Sequence, residues 1–175
     1  MKFGPVATGD SNGAYLAHSV AAGSLRLRKG RLIGEADIRA LLEAGVTDII
    51  AARLDADDVH EDEAASRIAR ALGLSGATAG AASTGRVNIH ADVAGVLTVD
   101  APAVEALNLV DPTITLSTLH PFSRVTGGQM VATVKIIPFA VPERFVALAE
   151  ARLAGRPAFA VHGFRRWSVA LVQTE

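Results

Sequence analysis

The chain has 175 residues, of which 50% are hydrophobic and 20% are charged, and its formal net charge is −1. This composition is typical of a folded protein and excludes a disordered chain, while the balanced charge provides no overall field to attract nucleic acid or an anionic membrane. The absence of cysteine excludes disulfides, thiolate metal sites and cysteine nucleophiles. Because no long apolar run resembles a signal peptide or a membrane span, we expect a soluble cytoplasmic protein.

The first part of the chain predicts a strand, a helix and a second strand. Residues 25–30 (LRLRKG) alternate apolar and basic side chains before a glycine, which is typical of a half-buried strand. Residues 35–45 place Ile38, Leu41 and Leu42 at helical spacing, with acids in the first turn and a glycine at the end. Residues 46–54 predict the second strand.

A dense group of acids between residues 55 and 63 invites a metal-binding interpretation. A calcium loop counted from Asp55 would need a glycine and a glutamate where the chain has His60 and Ser66. The acids are better explained as the start of a helix that runs to about Leu72, because negative side chains stabilise a helix N-terminus. No pair of histidines has metal-ligand spacing on one helix, so no metal site is predicted.

The remaining sequence predicts an α+β fold of mixed β-sheets and short amphipathic helices in two small lobes. Residues 73–85 are rich in small side chains and predict a loop or lobe boundary. Strands are predicted at 86–90, 95–99, 114–119 and 129–139, helices at 102–108 and 142–153, and short apolar runs lie at 158–161 and 168–172. The predicted division is a strand–helix–strand lobe at 1–73, a sheet-rich lobe with a linker helix at 74–157, and a final segment at 158–175.

The glycine spacing at 80–87 resembles a phosphate-binding loop. Arg86 and Val87 stand where such a loop needs a lysine and a hydroxyl residue, which excludes a nucleotide site of that type. The residues here that still suit an anionic or amide-rich ligand are Ser83, Thr84, Gly85, Arg86 and Asn88. An ordinary loop with one exposed arginine is the alternative.

Lys135 stands out because its neighbours in residues 130–139 are apolar or β-branched. A buried and unpaired ammonium group is costly, so this lysine must reach solvent, find a partner or meet a ligand. The two-residue period of a strand places Thr133 and Lys135 on one face. A ligand contact and a lysine at the sheet edge both remain open.

Several strings, taken together, resemble proteins of the molybdopterin molybdenumtransferase type. They are LAHSVAAG at 16–23, LRKGRLI at 27–33 and DIRALLEAGV at 37–46. Other strings resemble a bacterial branch that binds molybdopterin. They are DEAASRIA at 62–69, TGRVN at 84–88, LN at 107–108 with Asp111, and GQMVATVKIIPF at 128–139. The resemblance covers most of the chain from about residue 14.

The resemblance implies a module of a molybdenum-cofactor biosynthesis protein that helps to bind molybdopterin, with no tightly bound metal of its own. Residues 158–175 would begin a truncated α/β molybdopterin-binding domain, and residues 167–175 would form its first strand. That domain, in the same protein or a partner chain, is the expected partner, and a homo-oligomer such as a dimer is expected. The expected ligand contacts are Arg86, Asn88, Asn108 and Lys135, with Asp111 orienting a basic group, since cations and carboxamides suit a phosphate and a hydrogen-bonding ring.

The resemblance leaves the activity of the chain open. Nothing between Met1 and Ser24 matches the acidic, serine- and methionine-bearing stretch of the molybdenumtransferases. If the chain is part of an enzyme, a transferase of this type is implied, and the isolated chain is expected to be inactive. The alternative is a structural or dimerisation lobe that packs against the cofactor-binding domain without touching ligand.

Overall fold

The computed structural model describes residues 1–155 and 157–174 and shows an α+β fold. Its helices are α1 (Glu35–Glu43), α2 (Glu61–Ala71), α3 (Ala101–Asn108) and α4 (Glu143–Leu153). Its strands are β1 (Lys2–Ala7), β2 (Tyr15–Leu16), β3 (Val20–Ala22), β4 (Leu25–Leu27), β5 (Asp48–Arg53), β6 (Asp58–His60), β7 (Ala77–Ala79), β8 (Arg86–Ala91), β9 (Gly95–Val99), β10 (Ile114–Thr118), β11 (Arg124–Val125), β12 (Met130–Ile136), β13 (Ala140–Pro142) and β14 (Phe159–Gly163). The predicted fold class is confirmed.

All four predicted helices are present, and local sequence explains where they begin. The Nδ1 atom of His60 accepts a hydrogen bond from the backbone N–H of Asp62 (3.3 Å) at the start of α2, and Asp100 caps α3 by accepting from the N–H of Ala103 (3.1 Å). Pro102 lies in the first turn of α3, where its missing N–H costs nothing. Among the described residues, no helix is long and apolar enough to cross a membrane.

The strands predicted between residues 25 and 139 are also present, with two differences. The strand predicted at 129–139 ends at Ile136, because Pro138 has no N–H to donate to a neighbouring strand. The predicted loop at 73–85 contains the short strand β7, which pairs with β8.

Most strands belong to three antiparallel sheets. The strand order is β1-β5-β2 in the first sheet, β10-β12-β8-β7 in the second and β11-β9-β14 in the third. A parallel bridge between Ser75 and Ala160 joins the second and third sheets. The pairs β3-β4 and β13-β6 complete the pattern, and β1, which contains Pro5, is an edge strand.

Two main hydrophobic clusters and a small third one, made of Ala17, Ala52 and Phe139, form the core of the described residues. The smaller of the two main clusters packs the first sheet against α1 and includes Leu16, Leu41 and Ile49. The larger one packs α2 and α4 against the second and third sheets and includes α2 residues such as Ile68 together with Phe159 of β14. The core therefore groups α2 and β14 with the sheet-rich region, whereas the predicted division places them in the segments 1–73 and 158–175.

The last described residues, 164–174, form neither a helix nor a strand. Trp167, Val169 and Leu171 are each more than 80% exposed. The strand predicted at 167–175 is not observed over 167–174, and Glu175 lies outside the described residues. A single extended segment is not stable as a strand without a partner, and no described segment pairs with this one.

Helices α2 and α4 are joined by an ion cluster around Arg67. Its guanidinium donates to both carboxylate oxygens of Glu143 (2.7 and 2.8 Å) and to both of Glu150 (3.0 and 2.7 Å). These hydrogen bonds lower the pKa of both glutamates below the usual range. A doubly bidentate arginine is the arrangement in which a surface ion pair contributes measurably.

We expect Arg67→Met to lower the melting temperature by a few degrees at neutral pH, because it removes the four charge-assisted hydrogen bonds to Glu143 and Glu150. The pKa values of Glu143 and Glu150 are lowered in the folded protein. The two glutamates therefore contribute fully to stability above the ordinary glutamate pKa of about 4.3, and this contribution is lost as the pH falls through their lower folded values. Thermal unfolding of both proteins across this pH range should show the difference shrinking in acid. Arg70→Met, which removes a 3.6 Å exposed pair with Glu63, should change little, and equal losses in the two variants would contradict the prediction.

Candidate functional site

A tight hairpin turn positions the start of β8. Ser83 and Arg86 exchange backbone hydrogen bonds (3.0 and 3.2 Å), and the two residues between them, Thr84 and Gly85, have φ values of 51° and 69°. Positive φ at both central residues is the signature of a type I′ turn, which matches the twist of the strands that it joins. The turn therefore places Arg86 at the first position of β8.

Gly85 anchors this turn to two other elements. Its N–H donates to Oδ1 of Asp62 on α2 (2.7 Å), and its carbonyl accepts from the N–H of Ile136 on β12 (2.7 Å). The Gly85 amide, which the sequence suggested for an anion, is thus already bound to a carboxylate. The turn can therefore contribute to a ligand site through the side chains that follow it in β8.

Strand periodicity places a set of polar side chains on the outer side of the second sheet. Val87, Ile89 and Val134 point into the core, so their neighbours along β8 and β12 lie on the opposite face. In the antiparallel register Arg86 is opposite Lys135 and Asn88 is opposite Thr133. We call this surface the polar sheet face; its residues are Arg86, Asn88, Thr115, Ser117, Thr133 and Lys135.

The polar sheet face carries two cations side by side. Arg86 and Lys135 are direct cross-strand neighbours, and like charges in this position destabilise a sheet. Within residues 1–155 and 157–174, neither side chain forms an ion pair with a carboxylate. The structure thus concentrates positive charge here without neutralising it.

Asn88 lies beside this cation pair with one half of its amide engaged. The Thr133 hydroxyl donates to Asn88 Oδ1 (3.0 Å), which fixes the orientation of the carboxamide. In the described part of the chain the Nδ2 group makes no hydrogen bond, so it remains a donor on the same face. Three of the four expected contacts, Arg86, Asn88 and Lys135, are therefore brought together.

The fourth expected contact, Asn108, lies elsewhere. It ends α3 at the outer edge of β10, where its Nδ2 donates to the carbonyl of Leu116 (3.0 Å) and its Oδ1 accepts from the Leu116 N–H (2.8 Å). The side chain acts as a substitute strand partner, and its role as a ligand contact stays a prediction. Asp111 is also engaged locally, since it accepts hydrogen bonds from the backbone and hydroxyl of Thr113.

A second group of side chains meets next to the Gly85 turn, around Phe139, which is buried in the small third cluster with Ala17 and Ala52. The Lys29 ammonium lies 5.4 Å from the ring centroid of Phe139, and Phe3 stacks on Phe139 with 6.4 Å between centroids. The Glu61 N–H donates to the Phe139 carbonyl (2.8 Å). We call Phe3, Lys29, Glu61 and Phe139 the lobe junction.

Sequence reasoning missed the lobe junction. Glu61 is one of several acids at the start of α2, and nothing in that pattern separates it from Glu63. Burial, reinforced by the neighbouring Asp62 carboxylate, raises the pKa of Glu61 above the usual glutamate range, against the opposing effect of Lys29. Only the tertiary contact with Gly85 and Phe139 distinguishes this glutamate.

The described residues contain no group of three or more histidine, aspartate or glutamate side chains that could hold a metal ion. The defined members of the polar sheet face include no carboxylate, and the imidazole of His90 lies two residues beyond Asn88 on the same side of β8. The two cations, the hydroxyls and the amide donor are groups that suit an anion.

Comparison with known proteins gives one family match. A model described as a domain of unknown function (DUF8806) matches residues 5–53. This range runs from Pro5 in β1 to the end of β5, covers well under half of the chain, and corresponds to the smaller of the two main hydrophobic clusters. No curated protein and no solved structure matches the chain. The polar sheet face lies outside the matched range.

Two glycine substitutions separate backbone strain from crowding at the turn. Gly45 and Gly85 both have positive φ (75° and 69°), but a Cβ at Gly45 would meet nothing within 4 Å, whereas one at Gly85 would lie 2.7 Å from the Ile136 carbonyl oxygen. We expect Gly45→Ala to lower the free energy of unfolding by about 1 kcal/mol. Gly85→Ala should cost roughly 1–3 kcal/mol more. Denaturant unfolding measures both, and equal losses would show that Gly85 is not tightly held between α2 and β12.

Proposed function

We propose that this chain is a ligand-binding module of a molybdenum-cofactor biosynthesis protein, and that its polar sheet face binds molybdopterin through the phosphate group. The observation that carries the proposal is the adjacent, unneutralised pair Arg86 and Lys135. Two adjacent like charges destabilise a sheet, and a bound anion would offset this repulsion. The molybdenum-cofactor assignment itself rests on the sequence resemblance.

The donor set fits the phosphate end of molybdopterin. The guanidinium of Arg86 can donate two parallel hydrogen bonds to phosphate oxygens, and the ammonium of Lys135 adds a second positive charge. The free Nδ2 of Asn88 supplies a neutral donor beside them. The six residues that define the face include no aromatic side chain, so we place the pterin ring beyond them.

Two of the strings that carry the resemblance also support the proposal by their placement. TGRVN at 84–88 forms the turn and the start of β8, and residues 128–139 contain β12. These segments are far apart in sequence and pair in antiparallel register. The proposed binding role needs no catalytic group in this chain, and the molybdopterin-binding domain of the same or a partner protein would complete the site.

We expect Arg86→Ala and Lys135→Ala each to weaken molybdopterin binding about tenfold, as the loss of one charge-assisted contact does. Anaerobic titration calorimetry measures the affinity, with Arg152→Ala as the control because Arg152 is an exposed arginine on α4. Removing either cation also relieves the cross-strand repulsion, so the melting temperature should stay unchanged or rise. Unchanged affinity in both variants would refute the site.

A second candidate function, a dimerisation or docking lobe that does not touch ligand, is favoured by an exposed apolar surface. Leu109 and Phe122 are 77% and 78% exposed. A groove of about 420 Å³ lies beside them, lined by Val99, Val104, Leu109 and Pro121 among others. Exposed apolar surface of this kind is typical of interaction sites.

For this alternative we expect a dimer in size-exclusion chromatography with light scattering. The double variant Leu109→Ser with Phe122→Ser should then be a monomer with an unchanged melting temperature, because neither side chain is part of the core. A monomeric wild-type chain that binds molybdopterin would reject the alternative. A dimer without any molybdopterin binding would favour it over the first proposal.

A further inference from the structure

The Glu61 side chain lies directly behind the turn that presents Arg86. A Cβ atom placed on Gly85 would be 2.8 Å from Glu61 Oε2 and 3.2 Å from the Glu61 Cβ, so the side chain packs against this glycine. The neighbouring carboxylate of Asp62 is used by the Gly85 N–H. Within residues 1–155 and 157–174, no hydrogen bond or ion pair engages the Glu61 carboxylate.

This carboxylate is half-buried beside aromatic surface. The backbone of Glu61 is bonded to Phe139, the Phe139 ring stacks on the 58% exposed Phe3, and Lys29 lies over the same ring. The charge of Lys29 partly stabilises this carboxylate, but no hydrogen-bond donor among the described residues replaces the water contacts that it loses on burial. Donors from a ligand would satisfy it.

We infer that Glu61 accepts hydrogen bonds from the N–H edge of a planar heterocycle whose phosphate is held by Arg86 and Lys135. The inference rests on the proposed function and assigns the ring end of the same ligand. A 2-amino-4-oxopyrimidine ring, the hydrogen-bonding part of a pterin, presents a ring N–H and an amino group side by side. The two oxygens of a carboxylate match such a pair of donors.

The two ends of the proposed site lie on either side of the Gly85 turn. Glu61 contacts Gly85, and Arg86 is the next residue, at the usual spacing of about 3.8 Å between neighbouring Cα atoms. The phosphate end of the ligand would lie on the polar sheet face and the ring would pass the rim of the sheet toward the lobe junction. The ring would there meet apolar aromatic surface, which suits its planar faces.

Separate probes for the two ends of the ligand test the inference. The probes are 6-hydroxymethylpterin, which has the ring and no phosphate, followed by fluorescence quenching, and inorganic phosphate, followed by NMR chemical shifts. We expect Glu61→Gln to weaken pterin binding about tenfold or more and to leave phosphate binding unchanged. Arg86→Ala should do the reverse. Glu63→Gln, on the same helical turn but exposed, should change neither.

The controls separate recognition from folding. Glu61→Asp keeps the charge and withdraws it by one methylene, so it should restore part of the pterin affinity that Glu61→Gln loses. If Glu61→Gln binds the pterin as tightly as the wild type does, or loses affinity equally for the pterin and for phosphate, the inference is overturned. Either result leaves the proposed molybdopterin binding by Arg86 and Lys135 intact. A wild-type chain that binds neither molybdopterin nor either probe would overturn the proposed function as well.

Discussion

The hydrogen bond from the Gly85 N–H to the Asp62 carboxylate is the contact on which the arrangement of the chain depends. It joins the first turn of α2 to the hairpin before β8, while the Gly85 carbonyl holds β12. These two bonds fix the helix, the turn and the central strands relative to one another. Glu61 therefore packs against Gly85, and Arg86 follows the same glycine in the chain.

The regular elements could be predicted because their signals are local. The helical spacing of Ile38 and Leu41 follows from the face that meets the core, although Leu42, at the same spacing, is 49% exposed, and the apolar run at 130–136 is typical of an interior strand. The placement of Thr133 and Lys135 on one face also follows from the two-residue period. The pairing of Lys135 with Arg86 does not, because the register of two distant strands is set by turns and packing.

Several other contacts could not be predicted from the sequence, again because they join residues that are distant in the chain. The carboxamide of Asn108 is chemically suited to a ligand, yet here it satisfies the backbone of Leu116 at a sheet edge. The Gly85 amide is likewise engaged by a carboxylate 23 residues earlier in the chain. Short strands such as β2 and β13 have too few residues to show a periodicity. In each case the partner is distant in sequence, so composition and spacing could not reveal it.

Pro5 has a consequence for how copies of this chain can associate. It lies in β1, whose outer side is the free edge of the first sheet, and proline removes one backbone donor from that edge. An incoming strand would find an interrupted ladder there, which discourages continuous β-sheet growth from one molecule to the next. An assembly built on this side of the protein must therefore rely on contacts between side chains and not on a shared backbone ladder.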